Sequence, residues 1–254
     1  MANKTKIYYS DGKTPEETIR LRQEAYSNVY NEDKELIIKK VLLNLFTKDE
    51  WKNKKVLDIG CGLGIFTEFF LKMGAQVTAL DVSKSVILAN KTRNPKAKFV
   101  CQNAEEIELR ERFDLIFAKD LIEHLKNDQK FIQNLNKYLN QDGIILLNTQ
   151  NSHSFNYLFQ NSIARSKGNY QWKGWDPNHY RFYSRITLKK LLVKNGFIPI
   201  KWFGSYYFPY RALEIWFKKK GKWPTCRLIE KYGLWDKFPF NIIGWNIGVL
   251  ARKR

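Results

Sequence analysis

Residues 56–64 read Val-Leu-Asp-Ile-Gly-Cys-Gly-Leu-Gly. Val56, Leu57 and Ile59, interrupted by Asp58, have the pattern of a buried parallel strand near its end. Three glycines then let the backbone turn sharply and approach a ligand with no Cβ in the way. Behind them Ile65, Phe66, Phe69, Phe70 and Met73 share one face of a helix that stops at Gly74. Strand, glycine turn and helix in this order form the entrance to a nucleotide site.

The spacing narrows the choice of nucleotide. Gly60, Gly62 and Gly64 make a G-x-G-x-G, whereas the dinucleotide fingerprint places its third glycine one residue later. Asp58, just before the first glycine, would repel a pyrophosphate and suits a ligand that presents a cation. S-adenosylmethionine, with an α-amino group and a sulfonium, fits. On these residues the chain resembles the class I S-adenosylmethionine-dependent methyltransferases. The resemblance implies an α/β, Rossmann-like seven-stranded sheet with helices on both faces and insertions in the C-terminal half. The plain alternative for the loop is an ordinary strand-to-helix turn.

Later stretches continue the pattern. Gln76 to Leu80 reads as a second strand ending on Asp81, where ribose hydroxyls are accepted in sheets of this kind. Phe99 to Cys101 is a short third strand, and the turn after it carries Asn103 and Ala104. In the family that turn touches adenine, usually through Asp; Asn103 offers a neutral side-chain oxygen instead. Phe113 to Phe117 is the fourth strand and Gly143 to Leu147 the fifth. The cofactor set implied by the resemblance is Asp58, Gly60, Cys61, Gly62, Asp81, Val82, Asn103, Ala104 and Lys119.

The chain has 254 residues and a net charge of +19, unevenly placed. Residues 151–254 hold 20 Lys+Arg against 4 Asp+Glu, and 24 of the 38 aromatic residues. Three scattered cysteines, Cys61, Cys101 and Cys226, argue against a disulfide framework. A polar N-terminus and the lack of any uncharged apolar run of ~18 residues point to a cytoplasmic protein, peripheral at most on the inner membrane face.

Residues 1–50 read as an N-terminal helical cover and 51–254 as the methyltransferase domain. Thr14-Pro15-Glu16-Glu17 carries a capping box, and Ile37, Ile38, Val41, Leu42 and Leu45 share a helix face. Residues 151–183 read as an insertion forming a lid, and 206–240 as a basic aromatic insertion. Between them Ser184 caps a helix ended by Asn195-Gly196, and Phe197 to Phe203 is the sixth strand. Ile242 to Ala251 is expected to close the sheet as an antiparallel strand. Asp176 to Phe182 together with Gly196-Phe197 resembles the branch containing the quinone-biosynthesis O-methyltransferases.

Methyl transfer from a sulfonium is an in-line displacement, so alignment and exclusion of water dominate. A base helps where the acceptor is an alcohol or phenol. Lys119-Asp120-Leu121-Ile122-Glu123-His124 follows the fourth strand, and Glu123-His124 resembles the Glu-His pair of the quinone O-methyltransferases. Glu123, His124 and His179 are the catalytic candidates. Some relatives hold a divalent cation on Glu-x-x-Glu-His; the corresponding ligands here are Asp120, Glu123 and His124. A structural hydrogen-bonding role for the pair is the alternative. His153 and His179 lie on the expected lid.

The reading is therefore O-methylation of a small-molecule, lipid or glycan intermediate. Tyr206-Tyr207-Phe208, the run from Ala212 to Lys220 and Trp223 suit an anionic membrane surface. An RNA methyltransferase using the same lysines and aromatics, and a cofactor-binding protein without turnover, are the alternatives.

Overall fold

The computed structural model describes residues 17, 20, 30–170, 172, 176, 178–205, 207 and 224–254. Most of the expected basic aromatic segment, including Lys218, Lys219, Lys220 and Trp223, lies outside the described residues, as do Thr14, Pro15 and Glu16 of the helix expected there, whereas Glu17 is helical. Seven strands form one sheet: β1 (Lys55–Ile59), β2 (Gln76–Asp81), β3 (Lys98–Cys101), β4 (Phe113–Lys119), β5 (Leu139–Gln150), β6 (Phe197–Ser205) and β7 (Asn246–Lys253). Their order across the sheet is β3-β2-β1-β4-β5-β7-β6. Every pair among β1 to β5 is parallel, and β7 runs antiparallel between β5 and β6.

A sheet covered on both faces needs strands that are apolar on both faces, which is why these read as unbroken runs. Leu57, Ile59, Ile116, Ala118, Ile145 and Leu147 pack on one face with Phe131, Ile132 and Leu135 of the helix Asp128–Tyr138. Val56, Leu115, Phe117 and Leu146 pack on the other with Phe66 and Phe70 of the helix Ile65–Met73. The helix Tyr30–Leu43 joins this second layer through Ile37, Ile38, Val41 and Leu42.

Several boundaries differ from those expected. The fifth strand starts at Leu139, directly after the helix, and Gln141-Asp142-Gly143 lies within it. A register shift between Phe113 and Leu115 accommodates this, and a Cβ on Gly143 would lie 2.7 Å from the Leu139 side chain. The last strand starts at Asn246 because Phe240–Ile243 forms a helical turn instead. Asn151 pins that turn by donating its side-chain amide to the carbonyls of Ile242 and Gly244 at 2.7 and 2.8 Å. The span 151–183 contains a helix, Phe155–Ser166, capped by Ser154, whose hydroxyl accepts from the Tyr157 N–H.

Tyr207 corrects the expected membrane-facing set. It is buried, and its hydroxyl donates to the Phe240 carbonyl at 2.8 Å. A side chain closed into the core in this way does not enter a bilayer.

Candidate active site

The glycine loop leaves β1 with Gly60, Gly62 and Gly64 at φ 71°, 51° and 75°. These left-handed values explain the glycines, since other residues resist them. The loop is held from neighbouring elements. The N–H groups of Gly60 and Cys61 donate to the Leu80 carbonyl at 2.7 and 3.0 Å, and Asn90 donates its amide to the Gly62 carbonyl at 2.7 Å. No side chain caps the helix Ile65–Met73 at Gly64, so its N-terminus faces the loop as an anion-accepting end.

Asp58 and Asp81 stand beside this loop and are both buried. Asp58 accepts the Thr67 hydroxyl at 2.6 Å. Burial pushes its carboxyl up to about 7; the Thr67 hydrogen bond opposes the shift and the Asp81 charge adds to it. A cation arriving beside such a buried acid favours its ionised form. Asp81, at the tip of β2, accepts the Gly62 and Ser83 N–H groups, each at 3.0 Å. Cys61 and Ala104 are buried on the same rim, and Val82 is exposed. The Asn103 side-chain oxygen accepts the Glu105 N–H at 3.0 Å, which leaves it one further lone pair for a ligand.

The segment after β4 makes the opposite wall. Lys119 donates to Asp120 at 3.0 Å, and its ammonium lies 5.9 Å from the centre of the Phe66 ring. Asp120 accepts the Asn246 amide at 2.5 Å. Glu123 is fully buried and accepts the Thr149 hydroxyl at 2.7 Å. The His124 and His179 rings meet edge to face at 4.5 Å. His179 is buried and held within its own loop by its N–H, which donates to the Asp176 carbonyl. The Tyr180 N–H reaches across to the Glu123 carbonyl at 2.8 Å, tying the two segments together.

Glu123, His124 and His179 offer one ligand atom each, all within 4.8 Å of one another. Asp120, expected as a ligand with Glu123 and His124, is not in this group; His179, from 55 residues further on, takes its place. Two imidazoles and a carboxylate oriented by a hydroxyl form a donor set suited to a divalent transition metal. Without a metal, the same geometry serves proton transfer. Burial holds the His124 imidazole below its ordinary value, opposed by the Asp176 and Asp120 charges and a hydrogen bond to the Asn178 backbone. It is thus neutral near pH 7 and able to accept a proton. His153 is exposed, and its N–H donates to Asn151 at 2.9 Å; it stands outside the group.

Residues 30–201 match the family model described as a methyltransferase domain. The chain belongs to the methyltransferase-domain family. Relatives of this methyltransferase domain include a ubiquinone biosynthesis O-methyltransferase of Bradyrhizobium diazoefficiens, 30% identical over 166 residues. That match covers 61% of this chain and 63% of the relative. A protein of the same description from Rickettsia typhi is 31% identical over 157 residues, covering 60% of each. The chain thus spans less than two thirds of the length of these relatives. Among solved structures, the methyltransferase domain superposes on a TehB-like SAM-dependent methyltransferase of Corynebacterium glutamicum with TM-score 0.57 at 18% identity, covering 92% of this chain and 95% of that one. Magnesium protoporphyrin IX methyltransferase of Synechocystis gives TM-score 0.59 at 12% identity, covering 98% and 92%. At such identities the likeness is one of fold.

Some of the site had no signal in the local sequence. Asn90, Thr149 and Asn246 hold the glycine loop, Glu123 and Asp120, yet each is an unremarked polar residue within a helix or strand. One available clue was Asn90 itself, an amide facing inwards on the helix Lys84–Arg93 among Val86, Ile87 and Ala89.

Proposed function

We propose that the chain is an S-adenosylmethionine-dependent methyltransferase that methylates an oxygen of a small-molecule, lipid or glycan intermediate. The observation that carries the reading is the meeting of two parts. A glycine loop flanked by Asp58 and Asp81 lies against a segment that leads within three residues to Glu123 and His124. S-adenosylmethionine supplies an electrophilic methyl group on a sulfonium. Asp81 would accept ribose hydroxyls, Asp58 would answer the ammonium, and the loop N–H groups with the helix N-terminus would meet the carboxylate. Asn103 and Ala104 would border adenine, with Cys61 and Val82 on the same rim and Lys119 below.

His124 would take the proton of the acceptor hydroxyl as methyl transfer proceeds, with Glu123 and His179 holding it in place. If a divalent cation is used, Glu123, His124 and His179 would hold it, and it would polarise the acceptor oxygen. The names of the relatives support oxygen as the methylated atom.

The reading includes attachment to anionic lipid. Phe155, Leu158, Phe159 and Ile163 are exposed along one face of the helix Phe155–Ser166, which carries no acidic residue and is followed by Lys167. On the opposite side Tyr157 packs against Trp172 and Phe182, and Phe182 against His179. An apolar face bordered by cations suits an anionic bilayer.

The test is incubation with methyl-labelled S-adenosylmethionine and separated lipid, glycan, nucleic-acid and small-molecule fractions. Label in a lipid, glycan or small-molecule fraction, on oxygen, is the expected result. Label confined to nucleic acid would replace this reading with the RNA alternative, and binding of cofactor without label anywhere would leave a binding protein.

A further inference from the structure

Among the described residues Asp120 is the one non-glycine residue in the left-handed backbone region, at φ 51°. An L side chain resists that conformation, so its neighbours must hold it there. Three do. Its N–H donates to the Asn148 carbonyl at 2.8 Å, its Oδ2 accepts from Lys119 Nζ at 3.0 Å, and its Oδ1 accepts from Asn246 Nδ2 at 2.5 Å. Asn246 is fully buried at the first position of β7. The same Nδ2 donates to Asn148 Oδ1 at 2.9 Å, and Asn148 donates its own amide to Ser205 Oγ at 3.1 Å. The ends of β4, β5, β6 and β7 are therefore tied at one point. Ser205 and Asn246 both lie beyond residue 201, where the family match stops.

The tie governs where the chain goes after β4. Leu121, the next residue, packs on the glycine loop: its Cδ1 is 3.2 Å from the place a Cβ would occupy on Gly60. Two residues on, Glu123 accepts from Thr149, and His124 meets His179. One short segment touches the loop at its start and carries the Glu-His pair at its end. A backbone rotation at Asp120 would move the second relative to the first.

We propose that Asn246, acting through Asp120, is a positioning residue that sets the Glu123–His124 pair relative to the glycine loop. It acts by holding the left-handed conformation of Asp120. The chemical meaning of this inference rests on the methyltransferase reading above, but its geometric half does not.

Asn246→Leu removes both donated hydrogen bonds, to Asp120 and to Asn148, while keeping a side chain of similar reach. Amide exchange at residues 121–124, followed by mass spectrometry, should quicken by about tenfold or more while exchange in β1 and β4 stays slow. S-adenosylhomocysteine affinity, read by calorimetry, should stay within about threefold, and methyl transfer should fall by about 10²-fold, as a misplacement near 1 Å commonly produces. Asp120→Asn keeps a side-chain oxygen that can accept from Asn246 and tolerates the left-handed backbone, so it should keep protection at 121–124 within about threefold of the native chain. Unchanged exchange at 121–124 in folded Asn246→Leu, or exchange in Asp120→Asn as fast as in Asn246→Leu, overturns the proposal. If Asn246→Leu does not fold, Asp120→Gly replaces it, since glycine accepts the backbone conformation but lacks the tether. Native protection at 121–124 in that variant also overturns it. Faster exchange with no acceptor labelled in any fraction upholds the tether and rejects the methyl-transfer reading.

Discussion

Thr67 donates its hydroxyl to the Asp58 carboxylate at 2.6 Å, across the packed seam between β1 and the helix that follows it. It is a partial answer to burial, which raises Asp58 to about 7. Between the ordinary value of 3.8 and about 7 the folded chain holds a proton that the unfolded chain has lost. Stability contributed here falls as pH rises through that window and is level above it. Binding of a cation runs the other way, because it needs the carboxylate. S-adenosylmethionine affinity should rise from pH 6 to 8 and then flatten. Asp58→Asn should remove the slope, which calorimetry at several pH values will read; an unchanged slope would remove Asp58 from the site.

Asp81 has two tasks, supporting the loop through Gly62 and offering an acceptor at the tip of β2. Asp81→Ala should weaken S-adenosylmethionine binding by about 1.5–3 kcal/mol, the range for a charge-assisted hydrogen bond. Equal affinity in a folded mutant would refute the ribose assignment.

Asn90 gives the loop its second support, and its Oδ1 lies 2.1 Å from where a Cβ on Gly64 would stand. Asn90→Ala should cost about 1–3 kcal/mol of stability, since the half-buried Gly62 carbonyl loses that donor. It should also loosen cofactor binding; denaturant melts with and without S-adenosylhomocysteine separate the two effects.

His124→Ala should reduce turnover while leaving cofactor affinity nearly intact. Because burial lowers His124 below 6.5, the acidic limb of the rate profile should lie below that value. The unfolded chain takes up this proton first, so the stability contributed at His124 is lost as pH falls below 6.5. A chelator that abolishes activity, with recovery on adding magnesium or zinc, would assign the group Glu123, His124 and His179 to a metal. Activity indifferent to the chelator would leave His124 as the base.

Phe155 and Phe159, exposed on one helix face, offer a direct test of the surface reading. Replacing both by Ser should release the protein from vesicles containing anionic lipid without altering cofactor affinity. Cosedimentation unchanged from the native chain would locate the attachment elsewhere or exclude it. Retention of RNA with a steep salt dependence would favour the nucleic-acid alternative.

Strands and glycines were legible because each follows from a local rule. Val56 to Met73 shows its strand, turn and helix within 18 residues of chain, and Asp81 sits where its strand must end. Boundaries around Gly143 and Asn246 were not, because a bulge against Phe113 and a helical turn pinned by Asn151 are decided by contacts across the sheet. The metal-compatible group shows the same limit. Local spacing suggested Asp120, but that carboxylate accepts from Asn246, and His179 arrives from a distant loop to join Glu123 and His124.

The placement of β7 between β5 and β6 carries a consequence for biosynthesis. During synthesis β5 must wait as an open edge, with Ile144 to Leu147 ready to pair, until residues 246–253 have left the ribosome. Unpaired apolar edges of this kind recruit other chains. A chain stopped before residue 246 would therefore keep the whole glycine loop, His124 and His179, yet present β5 to its neighbours and β6 with no strand beside it. Aggregation, more than a missing catalytic group, is the expected fate of such a product.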